Sequence, residues 1–329
     1  MTGLNRQPHC HRHATTDLGA TDVTRSPRLK VRAGPAGIHV FDRSTGANLL
    51  IDEARVPCRH WSNAPRNVSI ALTNACDLHC PYCYAPKDPA VLDIDILYRW
   101  LDELDSHGCL GIGFGGGEPT LCRQLPALCR FIANSTHMAA TFTTHGHRLD
   151  DKLAADLHGN VHFIRVSMDG VGSTYETLRG KPFEALLIRL DIVRHLCPFG
   201  INYVVNSQTV GDLDRAIELA AQRGAAEFLL LPEQPAARRP GIDAVTREHL
   251  QQWVARYAGP VRLAVSAGGA DGLPACDPLQ PEMGLRAYAH IDAHGVLKES
   301  SYDKSGIEIG QGGILEAIAR FRLMKGAPH

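Results

Sequence analysis

The chain has 329 residues, 44% of them hydrophobic and 21% charged, with 34 basic against 35 acidic side chains and a net charge of −1. That length holds one α/β barrel of about 200–250 residues plus flanking pieces, with apolar content enough for a sizeable core. The charge balance excludes a broad electrostatic footprint for nucleic acid or anionic lipid, and no apolar run approaches the ~18–20 residues of a membrane span.

Residues 1–26 are polar, rich in His and Thr, and aperiodic, which predicts a tail without fixed structure; His9, Cys10, His11 and His13 then form no defined metal site. This end also lacks the ~7–15-residue apolar stretch of a secretory signal, so a cytoplasmic chain is expected. Residues 27–66 read as a short N-terminal β appendage, with strands at Gly37–Phe41 and Asn48–Ile51 around a turn at Thr45–Gly46. The region is too short for a separate winged-helix peptide-binding domain.

From residue 67 to 259, strand-like and helix-like patterns alternate. The strands are Val68–Thr73, Leu110–Phe114, Ala139–Thr144, Val161–Met168, Ile201–Asn206 and Glu227–Leu231. Helices fall near 94–106, 123–134, 150–157, 183–196, 212–223 and 246–257, with Asp212 and Thr246 as N-caps and Gly108 and Gly224 as C-caps. Short apolar strands alternating with helices predict the α/β class, here a partial (β/α)6 parallel barrel. Residues 260–329 break the pattern, with short strands at Val261–Val265, Ala287–Asp292 and Val296–Glu299 and a helix at Gly313–Arg322. They read as a small α+β extension and not as a seventh βα unit. In such barrels functional groups gather at the C-terminal ends of the strands.

Of ten cysteines, Cys76, Cys80 and Cys83 lie within eight residues just after the first barrel strand, spaced C-x3-C-x2-C. Size and the missing signal exclude a secreted disulfide framework, so the cluster points to a metal site. Three thiolates can hold three irons of a [4Fe–4S] cluster and leave one iron open to another ligand. The alternative, a zinc site with His79 or a distant residue as fourth ligand, needs a partner motif such as a second C-x2-C, and the sequence has none.

This spacing, with the aromatic Tyr82 before the third cysteine, resembles the signature of the radical S-adenosylmethionine (SAM) superfamily, in particular its MoaA/SPASM-like members. The resemblance implies one [4Fe–4S] cluster on Cys76, Cys80 and Cys83, with SAM chelating the open iron. It implies reductive cleavage of SAM to a 5′-deoxyadenosyl radical that abstracts a substrate hydrogen, and a reductant such as flavodoxin or ferredoxin. Gly115-Gly116-Gly117-Glu118-Pro119 after the second strand matches the family motif that holds the amino group of SAM. Ser167-Met168-Asp169-Gly170 closes the fourth strand; the resemblance puts Ser167 on the ribose and Arg179 on the SAM carboxylate, for which a guanidinium fork is suited. Asp169 is read as shaping the turn. Asn206 ends the fifth strand and is a candidate contact to ribose or adenine.

Two catalytic candidates remain open in role. His145 stands in Thr143-Thr144-His145-Gly146, where relatives carry asparagine, and reads as a cofactor or substrate contact, a proton carrier, or a hydrogen-bonded structural histidine. Glu233, just past the sixth strand, is either a substrate contact or a solvated rim carboxylate. Residues 288–321 resemble the hairpin and helix of SPASM and twitch extensions, whose cysteines bind auxiliary clusters. Here Cys276 is the one cysteine after Cys197, and Glu299-Ser300-Ser301 stands where another would be. A cluster-free cap closing the barrel mouth is therefore expected. The resemblance implies a radical SAM enzyme acting on a ribosomal peptide. A small-molecule or cofactor-biosynthesis enzyme is the alternative, and an iron–sulfur binding or electron-transfer protein the rival of another class.

Overall fold

The computed structural model describes residues 28–235, 239–276, 279 and 281–325; the tail read at 1–26 lies outside them. Three strands, β1 (Leu29–Gly34), β2 (Gly37–Asp42) and β3 (Ala47–Ile51), form an antiparallel sheet of their own. Then come β4 (Asn67–Thr73), α1 (Ile94–Ser106), β5 (Gly111–Gly116), α2 (Leu125–Ser135), β6 (Ala139–Thr144), α3 (Asp151–Leu157) and β7 (Phe163–Ser167). The series continues through α4 (Ser173–Arg179), α5 (Phe183–Leu196), β8 (Phe199–Val205), α6 (Leu213–Gln222), β9 (Glu227–Pro232), α7 (Ala244–Arg256) and β10 (Arg262–Val265). The chain closes with β11 (Tyr288–Ile291), β12 (Val296–Lys298), β13 (Ile307–Glu308) and α8 (Gly313–Met324). No helix among the described residues is long and apolar enough to cross a membrane.

The main sheet runs β10-β9-β8-β7-β6-β5-β4-β11-β12-β13. Every neighbouring pair from β10 to β11 is parallel. The six expected barrel strands are all present in sequential order. Strand β10 differs from expectation: it follows α7 and pairs parallel with β9, so it continues the βα series as a seventh strand. Strand β11 adds edge-on to β4 instead of forming a separate cap over the mouth, and the β11–β12 hairpin extends the sheet from there. An uncovered β4 edge would expose unpaired N–H and C=O groups, which the hairpin satisfies.

One face of each barrel strand is apolar and packs on helices: Val68, Ile70 and Leu72 of β4, Ile112 and Phe114 of β5, Ile164 and Val166 of β7 are all buried. The helices answer with stripes at helical spacing, such as Leu97, Trp100, Leu101 and Leu104 on α1. Truncating one of these, Leu101→Ala for instance, costs about 2–5 kcal/mol by loss of transfer energy and cavity formation. The opposite face lines the barrel interior with small or polar residues, including Gly113, Thr141, Arg165, Ser167 and Asn202. Asp243, and not Thr246, caps α7, accepting from the Thr246 N–H at 2.9 Å and its hydroxyl at 2.7 Å. Asp212 opens α6, but its carboxylate serves Val171 N at 2.9 Å.

The N-terminal sheet turns its polar side inward. The Arg43 guanidinium donates to the carbonyls of Ile132, Ala133, Thr136 and Met138 at 2.7–3.2 Å, capping the C-terminus of α2. Lys30 does the same for α1, donating to Asp105 O at 2.8 Å and pairing with the Asp105 carboxylate. Arg32 is buried between Glu282 at 3.0 Å and the carbonyls of Ala64, Gly108 and Arg286. Cations at helix C-termini are electrostatically favoured. Because α1 and α2 end where the next strands begin, this sheet lies under the base of the barrel, opposite the cysteine loop.

Candidate active site

The cysteine loop leaves β4 at its C-terminal end, as the barrel rule requires. Each sulfur faces a donor: Leu78 N reaches Cys76 Sγ at 3.4 Å, Arg179 Nη1 reaches Cys80 Sγ at 3.5 Å and Lys87 Nζ reaches Cys83 Sγ at 3.2 Å. Burial pushes the Cys76 and Cys80 thiols up, and at Cys80 the Arg179 charge opposes it. Donors aimed at sulfur are what thiolate ligands of an iron–sulfur cluster require.

The glycine motif follows β5 and presses on this loop. Gly117 N donates to Thr73 O at 2.7 Å and Glu118 N to Ala75 O at 2.8 Å. A Cβ on Gly117 would stand 2.1 Å from Ala75 O, and Gly116, at φ 120°, has Thr73 O 2.2 Å from that position. Only glycine allows this approach. Gly115 instead borders open space, with nothing within 4 Å of where its Cβ would be. Pro119 starts a 3-10 turn and fixes the backbone leaving Glu118.

Glu118 is 1% exposed. Its Oε1 accepts from Thr120 N at 3.1 Å, Thr120 Oγ1 at 2.6 Å and Thr144 Oγ1 at 2.7 Å, while Oε2 accepts from His145 N at 2.9 Å. Oε2 retains capacity for a further donor such as an ammonium group. His145 is buried, with Nε2 2.8 Å from Asp77 Oδ1 and 3.4 Å from Glu118 Oε2. The imidazole thus links the residue after Cys76 to the glycine motif. Cys76, Asp77 and His145 also place their ligand atoms within 4.8 Å of one another, and the Asp77–His145 hydrogen bond accounts for that approach.

Across the loop, the Tyr82 hydroxyl donates to Asp169 Oδ2 at 2.6 Å, and the same oxygen pairs with Arg179 Nη2. Asp169 Oδ1 accepts from Val204 N at 2.6 Å. Burial and the Asp169 charge push the Tyr82 hydroxyl far up, so it remains a donor. Arg179 leaves its buried Nε without a partner among the described residues. The helix that carries it, α4, runs between Gly172 and Gly180, both at positive φ.

Ser167 ends β7, paired in register with Asn202 of β8. Asn206 is 2% exposed; its Oδ1 accepts from Gln208 N at 3.0 Å and Thr209 N at 3.2 Å, and its Nδ2 is buried without a partner among the described residues. Glu233 is buried and paired through Oε1 to Arg239 Nε and through Oε2 to Arg239 Nη2 at 3.0 Å. Among residues not singled out in the sequence, Asp77, Thr144, Lys87 and Arg239 are the partners that hold those that were. Asp77 and Lys87 sit one and four residues from a motif cysteine, a proximity that marks them as candidates.

The free thiols, the glycine cradle, the spare acceptor of Glu118 and the orphaned donors of Asn206 and Arg179 together fit a [4Fe–4S] cluster and SAM. Residues 70–220 match the Radical SAM superfamily. The chain carries a radical SAM domain.

The chain is similar to the AdoMet-dependent heme synthase of Methanosarcina barkeri, 26% identical over 58% of the chain and 58% of that protein. It is similar to the mycofactocin maturase MftC of Mycolicibacterium smegmatis, 30% identical over 50% of the chain and 43% of the maturase. The chain thus spans about half the length of such relatives. Among solved structures, SuiB of Streptococcus suis bound to S-adenosylmethionine aligns with TM-score 0.70 at 12% identity, covering 89% of this chain and 87% of SuiB. That likeness shows the fold.

Proposed function

We propose that the chain is a cytoplasmic radical SAM enzyme that removes hydrogen from a peptide substrate. One observation carries the reading. Three thiols, each faced by a donor, sit on a loop locked on one side by Gly117 and Glu118 and on the other by the Tyr82–Asp169–Arg179 network. When bound, the cluster and SAM supply a 5′-deoxyadenosyl radical able to abstract hydrogen.

The chain's own residues prepare that chemistry. Cys76, Cys80 and Cys83 hold the cluster. Glu118 accepts from the SAM ammonium through Oε2, Ser167 and Asn206 serve its nucleoside, and Arg179 uses its spare donor for the carboxylate. Tyr82 keeps the cysteine loop seated on β7. His145 acts as a positioning residue, tying Asp77 beside Cys76 to Glu118. Glu233, with Arg239, belongs to the substrate end of the site. Fixed donors and acceptors in a buried site exclude water and need no reorganisation when the reaction starts. A flavodoxin or ferredoxin is the expected reductant.

The peptide assignment draws on MftC, a maturase by name, and on SuiB, which has also been solved with its precursor peptide SuiA. The match to a heme synthase favours a second reading, a small-molecule substrate of cofactor biosynthesis. Deuterium-labelled candidates of both kinds decide between them. Deuterium recovered in 5′-deoxyadenosine from a peptide supports the first reading, and recovery only from a small molecule supports the second.

A further inference from the structure

The barrel interior holds a polar group that no step above uses. Arg165 on β7 faces inward, its guanidinium carbon 5.3 Å from the centre of the Phe163 ring. It reaches past β8 to pair through Nη2 with Glu227 on β9, and Glu227 also pairs with Arg262 on β10. The crossing is open because β8 has Gly200 opposite Arg165 in register; a Cβ there would stand 3.0 Å from both Phe163 Cζ and Glu227 O. Two guanidinium groups against one carboxylate leave one net positive charge.

Arg165 Nη1, the other arm, is buried and has no partner among the described residues. One inward position nearer the strand ends, Asn202 pairs in register with Ser167 and is 9% exposed. Its Oδ1 is likewise buried and unpartnered among the described residues. Buried polar atoms are nearly always satisfied in folded proteins, so an orphan donor and an orphan acceptor on one wall mark a ligand's place. Two residues along and one strand across separate their Cα atoms by roughly 8 Å.

We propose that Arg165 and Asn202 form a substrate anchor inside the barrel that takes a carboxylate at Arg165 and an N–H donor at Asn202. This deepens the function proposed above and rests on it only in identifying the ligand as the substrate. A charged guanidinium arm with its partner arm already engaged selects an anionic acceptor, and the carboxamide oxygen selects a donor. An acidic side chain on a peptide offers both groups, as does a terminal carboxylate following a peptide N–H.

The test uses the full chain, anaerobically reconstituted and saturated with SAM, and reads binding by saturation-transfer NMR. The probes are N-acetyl-glutamate N-methylamide, its glutamine isostere, and N-acetylalanine with its primary amide. At least one acid should bind about tenfold or more tighter than its neutral counterpart. Arg165→Lys keeps a charge for Glu227 but loses the fork, and Asn202→Asp sets a negative charge beside the ligand; both should erase that preference at unchanged melting temperature. Preference for the glutamate probe assigns an acidic side chain, and preference for N-acetylalanine assigns a terminal carboxylate. Equal binding of acid and amide, no saturable binding of either acid, or a preference that survives in both variants overturns the anchor. Failure of the radical SAM reading shows separately, as absence of 5′-deoxyadenosine from the wild-type chain.

Discussion

The Tyr82 hydroxyl and the Asp169 carboxylate meet at 2.6 Å, joining the cysteine loop to the end of β7 across 87 residues of sequence. Asp169 is fully buried and serves Tyr82, Arg179 and the Val204 N–H at once. Breaking a buried pair on one side strands the other charge, at about 3–5 kcal/mol. Asp169→Asn should therefore lower unfolding stability in urea by roughly that amount, whereas Tyr82→Phe, losing one hydrogen bond, costs about 1 kcal/mol. Equal effects would show that the network is not centred on Asp169.

Glu118 is a second test. With Thr120, Thr144 and His145 all donating to it, an amide in its place sets a donor against donors, costing about 1–3 kcal/mol. Glu118→Gln should keep wild-type iron content and lose about tenfold or more in SAM affinity by equilibrium dialysis. Unchanged affinity would remove Glu118 from the SAM site.

Acid stability should fall in two stages. Burial holds His162 and His290 at about 4, below the ordinary ~6.5 of histidine, so both are neutral in the folded chain. The unfolded chain binds their protons first, so stability is full above about pH 6.5 and drops towards pH 4, by up to ~1.4 kcal/mol per pH unit for each. For His162 the structural reason is plain: Nδ1 accepts from Ala140 N at 3.0 Å. Against burial, Lys30 and Lys298 hold the Asp105 and Asp292 carboxylates below their ordinary value, a contribution lost only as pH falls further. Urea midpoints across pH should show the histidine stage flattened in a His162→Asn, His290→Asn double variant. An unaltered profile would contradict it.

At the base, Arg43 serves four carbonyls at the end of α2. Arg43→Met should destabilise the chain by about 3 kcal/mol, through several charged hydrogen bonds lost together. Because this sheet is at the opposite end of the barrel, SAM affinity should be unaffected. A coupled loss of SAM binding would place the sheet in communication with the site.

What was legible in the sequence follows the range of the interaction. The six barrel strands, the helices 94–106 and 183–196 and the cysteine and glycine motifs are local patterns and were found in place. Helix α4 starts after Gly172, which offers no side-chain cap, whereas the equally short α3 is announced by the capping Asp150; the carrier of Arg179 thus gives no local signal. The pairing of β10 with β9 and of β11 with β4 depends on sheet edges that no local pattern encodes. In β1 the hydrophobic pattern points the wrong way: Leu29 and Val31 are exposed while Lys30 and Arg32 are buried, because helix ends and not an apolar core lie beneath. Within the site, Asp77–His145 and Tyr82–Asp169 join residues 68 and 87 apart. Tyr82, Asp169 and His145 stood out individually in the sequence, but their pairings did not.

The most direct measurement of the central claim is anaerobic reconstitution with iron and sulfide, reduction with dithionite, and assay for 5′-deoxyadenosine from SAM. The account predicts about four irons per chain, as one [4Fe–4S] cluster holds, and 5′-deoxyadenosine well above a Cys80→Ala control. An intact cluster with SAM bound and no product above that control would contradict it and leave an iron–sulfur protein without radical chemistry.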